Sequence, residues 1–247
     1  MPDMHEGAIL IAGVGGLGCS WAVSAHRQCE DLSDLLLIDA DESSFRGSGQ
    51  AHCLHLDAVG DGSGAAALPN LAAHRLSEGL GALDPLLDRA ELLFIMTGLG
   101  GGTGSGASNE LARLARSKNC IVMTVAGLPF AEQPLRNSIA NASLPSLEAS
   151  SHVCIRVSME RLAWYARARE ENWENGSGWI QDLVEGLVTT LAKVGKLNLD
   201  LMDLRTVVEH TGGATLIVGT GSIMDPLQIV DRARNSPLTE VNVSGAK

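Results

Sequence analysis

The chain has 247 residues, of which 45% are hydrophobic and 19% charged, enough length and apolar surface for a sizeable buried core. Its formal charge of −11 argues against sequence-independent nucleic-acid binding, which needs Lys and Arg against phosphate, and against an electrostatic grip on anionic lipid. The N-terminal stretch carries no basic leader and no membrane-length apolar run, and the five scattered cysteines include no C-x-x-C pair, so a reducing cytoplasm is expected.

In chain order, short apolar runs occupy residues 8–13, 35–40, 91–98, 120–127, 152–158 and 214–221. They are largely unbroken, as in strands buried on both faces of a parallel sheet. Helical patterns lie between them. Residues 107–119 place Leu111, Leu114 and Ala115 on one face. The longest pattern, 179–197, carries Ile180, Leu183, Val184, Leu187, Val188, Leu191 and Ala192 as one apolar stripe. Residues 60–70 read as a loop, and 170–179 as a break before the long helix. The alternation predicts an α/β fold, a Rossmann-like, mostly parallel sheet flanked by helices, with ligands at the loops after the strands.

Two glycine loops punctuate this pattern. "GVGGLGCSW" follows the first run, and its Gly13, Gly15 and Gly18 satisfy G-x-G-x-x-G. Asp39 closes the next run at the distance of a ribose-binding acid. On these residues alone, a dinucleotide-binding Rossmann protein or an adenylating enzyme of the ubiquitin-activating type is an open reading. The second loop is richer: six of the nine residues from Gly98 to Gly106 are glycine. Their N–H groups can wrap phosphate oxygens with no Cβ in the way, and a helix starting near Ser105 adds its positive end. No G-K-[ST] follows, so this is not a Walker A loop. Phosphate charge falls to backbone amides, the Thr103 and Ser105 hydroxyls, and Mg²⁺.

"GGGTGSG" (100–106) resembles the signature of the tubulin/FtsZ superfamily of GTPases. "GVGGLGCS" is similar to the first phosphate loop of FtsZ, "LNLDLMDLRTVV" (197–208) to its catalytic loop, and 231–247 to the end of its GTPase domain. The resemblance implies one GTP-binding domain over 1–247. Residues 8–165 would form the nucleotide-binding sheet and loops, 179–197 the long central helix, and 198–247 the catalytic loop and a terminal remnant. It implies phosphate contacts from Gly15, Gly16, Gly18, Ser20, Gly101, Gly102, Thr103, Gly104 and Ser105. Glu132 and Arg136 keep the spacing of the ribose loop; their alternative is a solvated i,i+4 pair on a helix. Trp173 falls at the aromatic position of the base site. Gly178 falls where the family has a base-reading Asp, and Asp182 lies one turn on.

The same resemblance implies catalytic roles for Asn198, Asp200 and Asp203, which in the family serve the nucleotide of the next subunit. The alternative for the two acids is to cap the helix that follows. The expected partner is thus the chain itself, in a head-to-tail homopolymer with GTP hydrolysed at the interface and a cytoskeletal role. Membrane contact would come only through a partner or surface not evident in the sequence. No resident metal ligands are expected: "HCLH" (52–55) reads as a plain helix or loop segment. The family continues into a second domain past the point where this chain ends. The expectation is that this domain is absent and that the central helix lacks part of its cover. A nucleotide-binding regulatory switch without turnover is a second reading, and the adenylating enzyme a third.

Overall fold

The computed structural model describes residues 7–56, 67–168, 170, 172–175, 178–192, 200–209, 219, 224–236 and 238. Strand β1 (Ile9–Val14) leads into helix α1 (Gly15–His26), then β2 (Asp34–Asp39) and β3 (His52–His55). Helices α2 (Pro69–Glu78) and α3 (Leu80–Leu87) precede β4 (Leu92–Gly98). The remaining pairs are α4 (Gly102–Ser117) with β5 (Ile121–Leu128) and α5 (Pro134–Ser150) with β6 (Val153–Ser158). Then come α6 (Met159–Ala168), α7 (Trp179–Ala192), α8 (Leu201–Val208) and α9 (Pro226–Arg234).

The six strands form one sheet in the order β3-β2-β1-β4-β5-β6, every pair parallel. Residues alternate between its two faces. Ile9 and Ile11 of β1 join a cluster with Trp21 of α1 and Ile180, Leu183 and Val184 of α7. Leu10, Ala12 and Val14 face the other way, into a cluster with Leu76 of α2, Leu83 of α3 and Leu111 of α4. Both faces are covered over β1, β2, β4 and β5, so these strands read as continuous apolar runs.

The strand order reverses between β1 and β4. After β1 the chain builds outward to β2 and β3, and then crosses back to place β4 on the other side. The loops leaving β1 and β4 therefore diverge and open a crevice at the carboxyl ends of these two strands, the usual ligand position in such sheets.

Three features depart from the sequence reading. "HCLH" is neither helix nor loop but the edge strand β3, paired with β2 from Leu36↔His52 to Asp39↔His55. Its exposed positions give no apolar run to recognise. No cluster of three or more metal-ligating side chains occurs among the described residues. Helix α4 begins at Gly102, a turn earlier than glycine's poor helix propensity suggests. Close packing decides this: a Cβ on Gly104 would stand 2.1 Å from the Gly98 carbonyl, and one on Gly106 1.9 Å from that of Pro69. The apolar stripe of α7 is also covered: Ile180, Leu183, Val184, Leu187 and Val188 are all buried in the core shared with α1. The run at 214–221 falls almost wholly outside the described residues, as do 193–197 of the long helical pattern and 57–66, which take in most of the expected loop.

Candidate nucleotide site

A cavity of about 350 Å³ occupies the crevice. Its floor comes from the two glycine loops. Gly15 opens α1 with φ +76° and lies against the backbone of Gly104. Thr97, fully buried at the end of β4, clamps the loops together: its Oγ1 lies 3.0 Å from the Gly104 carbonyl and 3.3 Å from that of Val14. Gly101 caps α4 and has nothing within 4 Å of where a Cβ would stand. Bare backbone therefore faces the open cavity at the positive end of a 16-residue helix, an arrangement that suits an anion.

Gly15, Gly16, Gly101, Gly102, Thr103, Gly104, Arg136 and Trp173 all line this cavity, as the sequence reading expects. Four expected contacts do not. Gly18 is buried behind the loop, where a Cβ would stand 2.2 Å from the Met96 carbonyl; it lets α1 pack on β4. Ser105 turns inward and accepts a hydrogen bond from the Gly100 N–H at 2.9 Å, shaping the cradle from beneath. The Ser20 hydroxyl donates to the Glu174 carbonyl at 3.1 Å and so ties α1 to the turn that carries Trp173. Glu132 is exposed and precedes α5, so it forms no helical pair with Arg136. Gly178 and the exposed Asp182 are likewise not among the lining residues.

The lining also includes Leu17, Gly98 and Leu99 from the two glycine loops, Pro129, Phe130 and Gln133 from the loop with the ribose-loop spacing, and Gly127 and Met159, none of them singled out from the sequence. Phe130 meets Trp173 edge to face, with ring centroids 5.5 Å apart. Arg136 is the one cation among the described lining residues. Its backbone packs against Gly100, whose φ of +96° admits no ordinary side chain. Asp39 is the one lining carboxylate, and both its oxygens are engaged: the Ala40 N–H donates to Oδ1 at 2.8 Å and the Ser44 hydroxyl to Oδ2 at 2.6 Å. Each of these oxygens keeps a further acceptor position, since an ionised carboxylate offers about four lone-pair sites. Behind the first loop, burial pushes the Cys19 thiol well above its usual range, and the thiol bonds the Gly13 carbonyl.

The two expected catalytic acids lie elsewhere. Asp200 caps α8, accepting from the Asp203 N–H at 2.8 Å, while the Asp203 carboxylate accepts from the Asp200 N–H at 3.3 Å. This is a capping box, the alternative weighed for them. Arg205 of the same helix bonds the Asn119 carbonyl at 2.6 Å, two residues before β5 begins. The acids therefore belong to the edge of the sheet where β5 starts, and the cavity to the edge where it ends. Both carboxylates are exposed. Asn198 lies outside the described residues.

The profile of the Tubulin/FtsZ family, GTPase domain, matches residues 8–166. The chain belongs to the tubulin/FtsZ GTPase family. Members of this family bind GTP and GDP, and the domain described here is a GTP-binding GTPase domain of cytoskeletal type. It is 28% identical over 251 residues to cell division protein FtsZ 1 of Archaeoglobus fulgidus, covering 99% of this chain and 68% of the relative. It is 26% identical to cell division protein FtsZ 2 of Haloferax volcanii, covering 96% and 60%. Its fold matches the empty FtsZ dimer of M. jannaschii with a TM-score of 0.81 at 23% identity, over 98% of this chain and 72% of that one. A GTPγS-bound protofilament of CetZ2 from Haloferax volcanii matches with a TM-score of 0.61 at 25% identity, over 76% and 60%. No helix among the described residues of this tubulin/FtsZ-family domain is long and apolar enough to cross a membrane.

Proposed function

We propose that this chain binds GTP with Mg²⁺ in the crevice and assembles head to tail in the cytoplasm. Asp200 and Asp203 of one copy would complete the site of the next. The observation that carries this reading is the separation of the two half-sites. The cradle sits at one edge of the sheet and the exposed acid pair at the other, so the acids cannot serve their own chain's nucleotide. A contact that joins unlike surfaces repeats without closing, and the result is a filament. The similar CetZ2 structure named above is a GTPγS-bound protofilament, which supports filament assembly as the reading for this chain.

Within the site, the amides of the Gly101–Gly104 turn and the end of α4 hold the phosphates, and Arg136 adds charge. The Thr103 hydroxyl, in the second glycine loop, would be a protein ligand for a cation there. Bound through phosphate oxygens and Thr103, Mg²⁺ would neutralise charge on the β- and γ-phosphates. In the capping box each acid uses one oxygen. The other oxygen of each remains available to orient a water against a neighbour's phosphate. Phosphoryl transfer asks for this kind of positioning and charge compensation, with little covalent chemistry from the protein.

The capping box also favours a second reading, a nucleotide-dependent switch in which the acids serve only α8. Phosphate release from GTP, followed against protein concentration, separates the two. Hydrolysis between subunits predicts a specific rate near zero at low concentration that rises above a threshold. Asp203→Ala should then keep nucleotide binding and lose turnover. Tight GTP binding with no turnover at any concentration would support the switch.

A further inference from the structure

Resting on the nucleotide reading above, the lining of the cavity also bears on which base it accepts. Its aromatic end is built from Phe130 and Trp173, packed edge to face. Trp173 and Arg136 offer only donors, whereas Gln133, which caps α5, offers both a donor and an acceptor. Its backbone is fixed. The Gln133 N–H donates to the Phe130 carbonyl at 3.0 Å, and the Asn137 side-chain amide donates to both the Phe130 and Gln133 carbonyls, at 2.7 and 3.0 Å. The amide of Gln133 makes no hydrogen bond with the described residues. Asp39, the one carboxylate among the described lining residues, lies beside Gly16 at the phosphate end, each oxygen accepting one hydrogen bond.

Guanine presents two neighbouring N–H donors on its pairing edge, which a carboxylate accepts together. Adenine presents an amino donor beside a ring acceptor. A carboxamide carries one acceptor and one two-proton donor, and it turns over by rotation about its last bond. One orientation suits adenine, and the other meets the carbonyl and N–H of guanine. Stacking on an aromatic ring adds affinity with little regard to base identity.

We propose that this site takes adenine as well as guanine nucleoside triphosphates, with Trp173 and Phe130 supplying the stacking surface and the Gln133 amide the adaptable edge contact. Sites with a dedicated polar reader reject the wrong partner by about 10⁴-fold or more, whereas apolar pockets manage only about 10²-fold.

Affinities for fluorescent GTP and ATP analogues, each displaced by the unlabelled nucleotide, test the proposal on the 247-residue chain. The expected result is a GTP-to-ATP affinity ratio below about 100-fold. A larger ratio overturns the proposal while leaving the nucleotide site intact. Binding of neither nucleotide would remove the nucleotide reading itself. Gln133→Glu then tests the residue: an exposed carboxylate in place of the amide should raise the ratio in favour of GTP by at least about tenfold, ~1.4 kcal/mol. An unchanged ratio in a folded variant overturns the role given to Gln133.

Discussion

Two glycines, Gly18 and Gly101, belong to the two loops and do opposite jobs. Gly18 is fully enclosed: a Cβ would stand 2.2 Å from the Met96 carbonyl and 2.9 Å from its carbon. The obstacle is backbone, so it cannot swing away as a side chain would. Gly101 has open space around it, and its φ of −102° suits any residue. Gly18→Ala should therefore lower stability by about 1–3 kcal/mol through overpacking, read as a fall in denaturation midpoint. Gly101→Ala should leave that midpoint unchanged and weaken GTP binding by at least about tenfold, because its methyl group projects into the cradle. Equal loss of stability in both variants would contradict the assignment. The pair also shows why glycine-rich loops are only partly legible. Glycines that admit a ligand and glycines that admit a neighbouring strand look the same in sequence.

At the scale of elements, β1, β2, β4 and β5 were readable because burial on both faces demands apolar residues at successive positions, and β6 because its buried residues alternate with more exposed ones. The edge strand β3 was not, since only its backbone pairs and its side chains face solvent. The start of α4 was misplaced because helix propensity is a local quantity, and the contact that encloses Gly106, with Pro69, is distant in sequence. In the site, the backbone cradle and the loop that carries Phe130 and Gln133 were legible, though not those two side chains; Met159 was not, since it meets the cavity only once the sheet is assembled.

The edge where β5 begins carries a titratable element. The Val122 N–H donates to His152 Nδ1 at 2.9 Å, extending the β5–β6 ladder by a side chain. That bond needs an unprotonated Nδ1. Burial, first, and then Arg116 and Arg205 hold the His152 pKa below its usual 6.5, against a smaller opposing effect of Glu209. Burial also lowers His26, against Glu30 and Asp34. The unfolded chain thus takes up protons before the folded one as pH falls. Stability contributed by neutral histidine is complete above about pH 6.5 and is lost as pH drops below that value. Chemical denaturation from pH 7.5 to 5 should show the decline. His152→Ala should cost about 1–2 kcal/mol at neutral pH, by leaving the Val122 N–H unpaired, and should flatten the slope. An undiminished slope in that variant would assign the effect to His26 or to the carboxylates.

For the whole molecule, the decisive property is that cradle and acids lie at opposite edges of one sheet, so a chain defective in one half retains the other. Asn is as good a helix cap as Asp, so Asp200→Asn should preserve α8 while removing the charge proposed to act on the next copy. It should bind GTP and fail to turn it over. Gly101→Ala should keep its acids and lose its cradle. Each variant alone is then inactive, at GTP concentrations that fill the native cradle but not the weakened Gly101→Ala one. Mixed in equal amounts, an Asp200→Asn cradle loaded with GTP can dock on the native acid pair of a Gly101→Ala neighbour. With random pairing, about a quarter of such contacts have both halves intact, because a head-to-tail interface takes one surface from each partner. Phosphate release in the mixture should recover toward that fraction. A mixture as inactive as its components, with both variants folded and Asp200→Asn still binding GTP, would mean that the acids do not act across an interface. Asp200 would then be a cap for α8 alone, and the cradle a nucleotide switch.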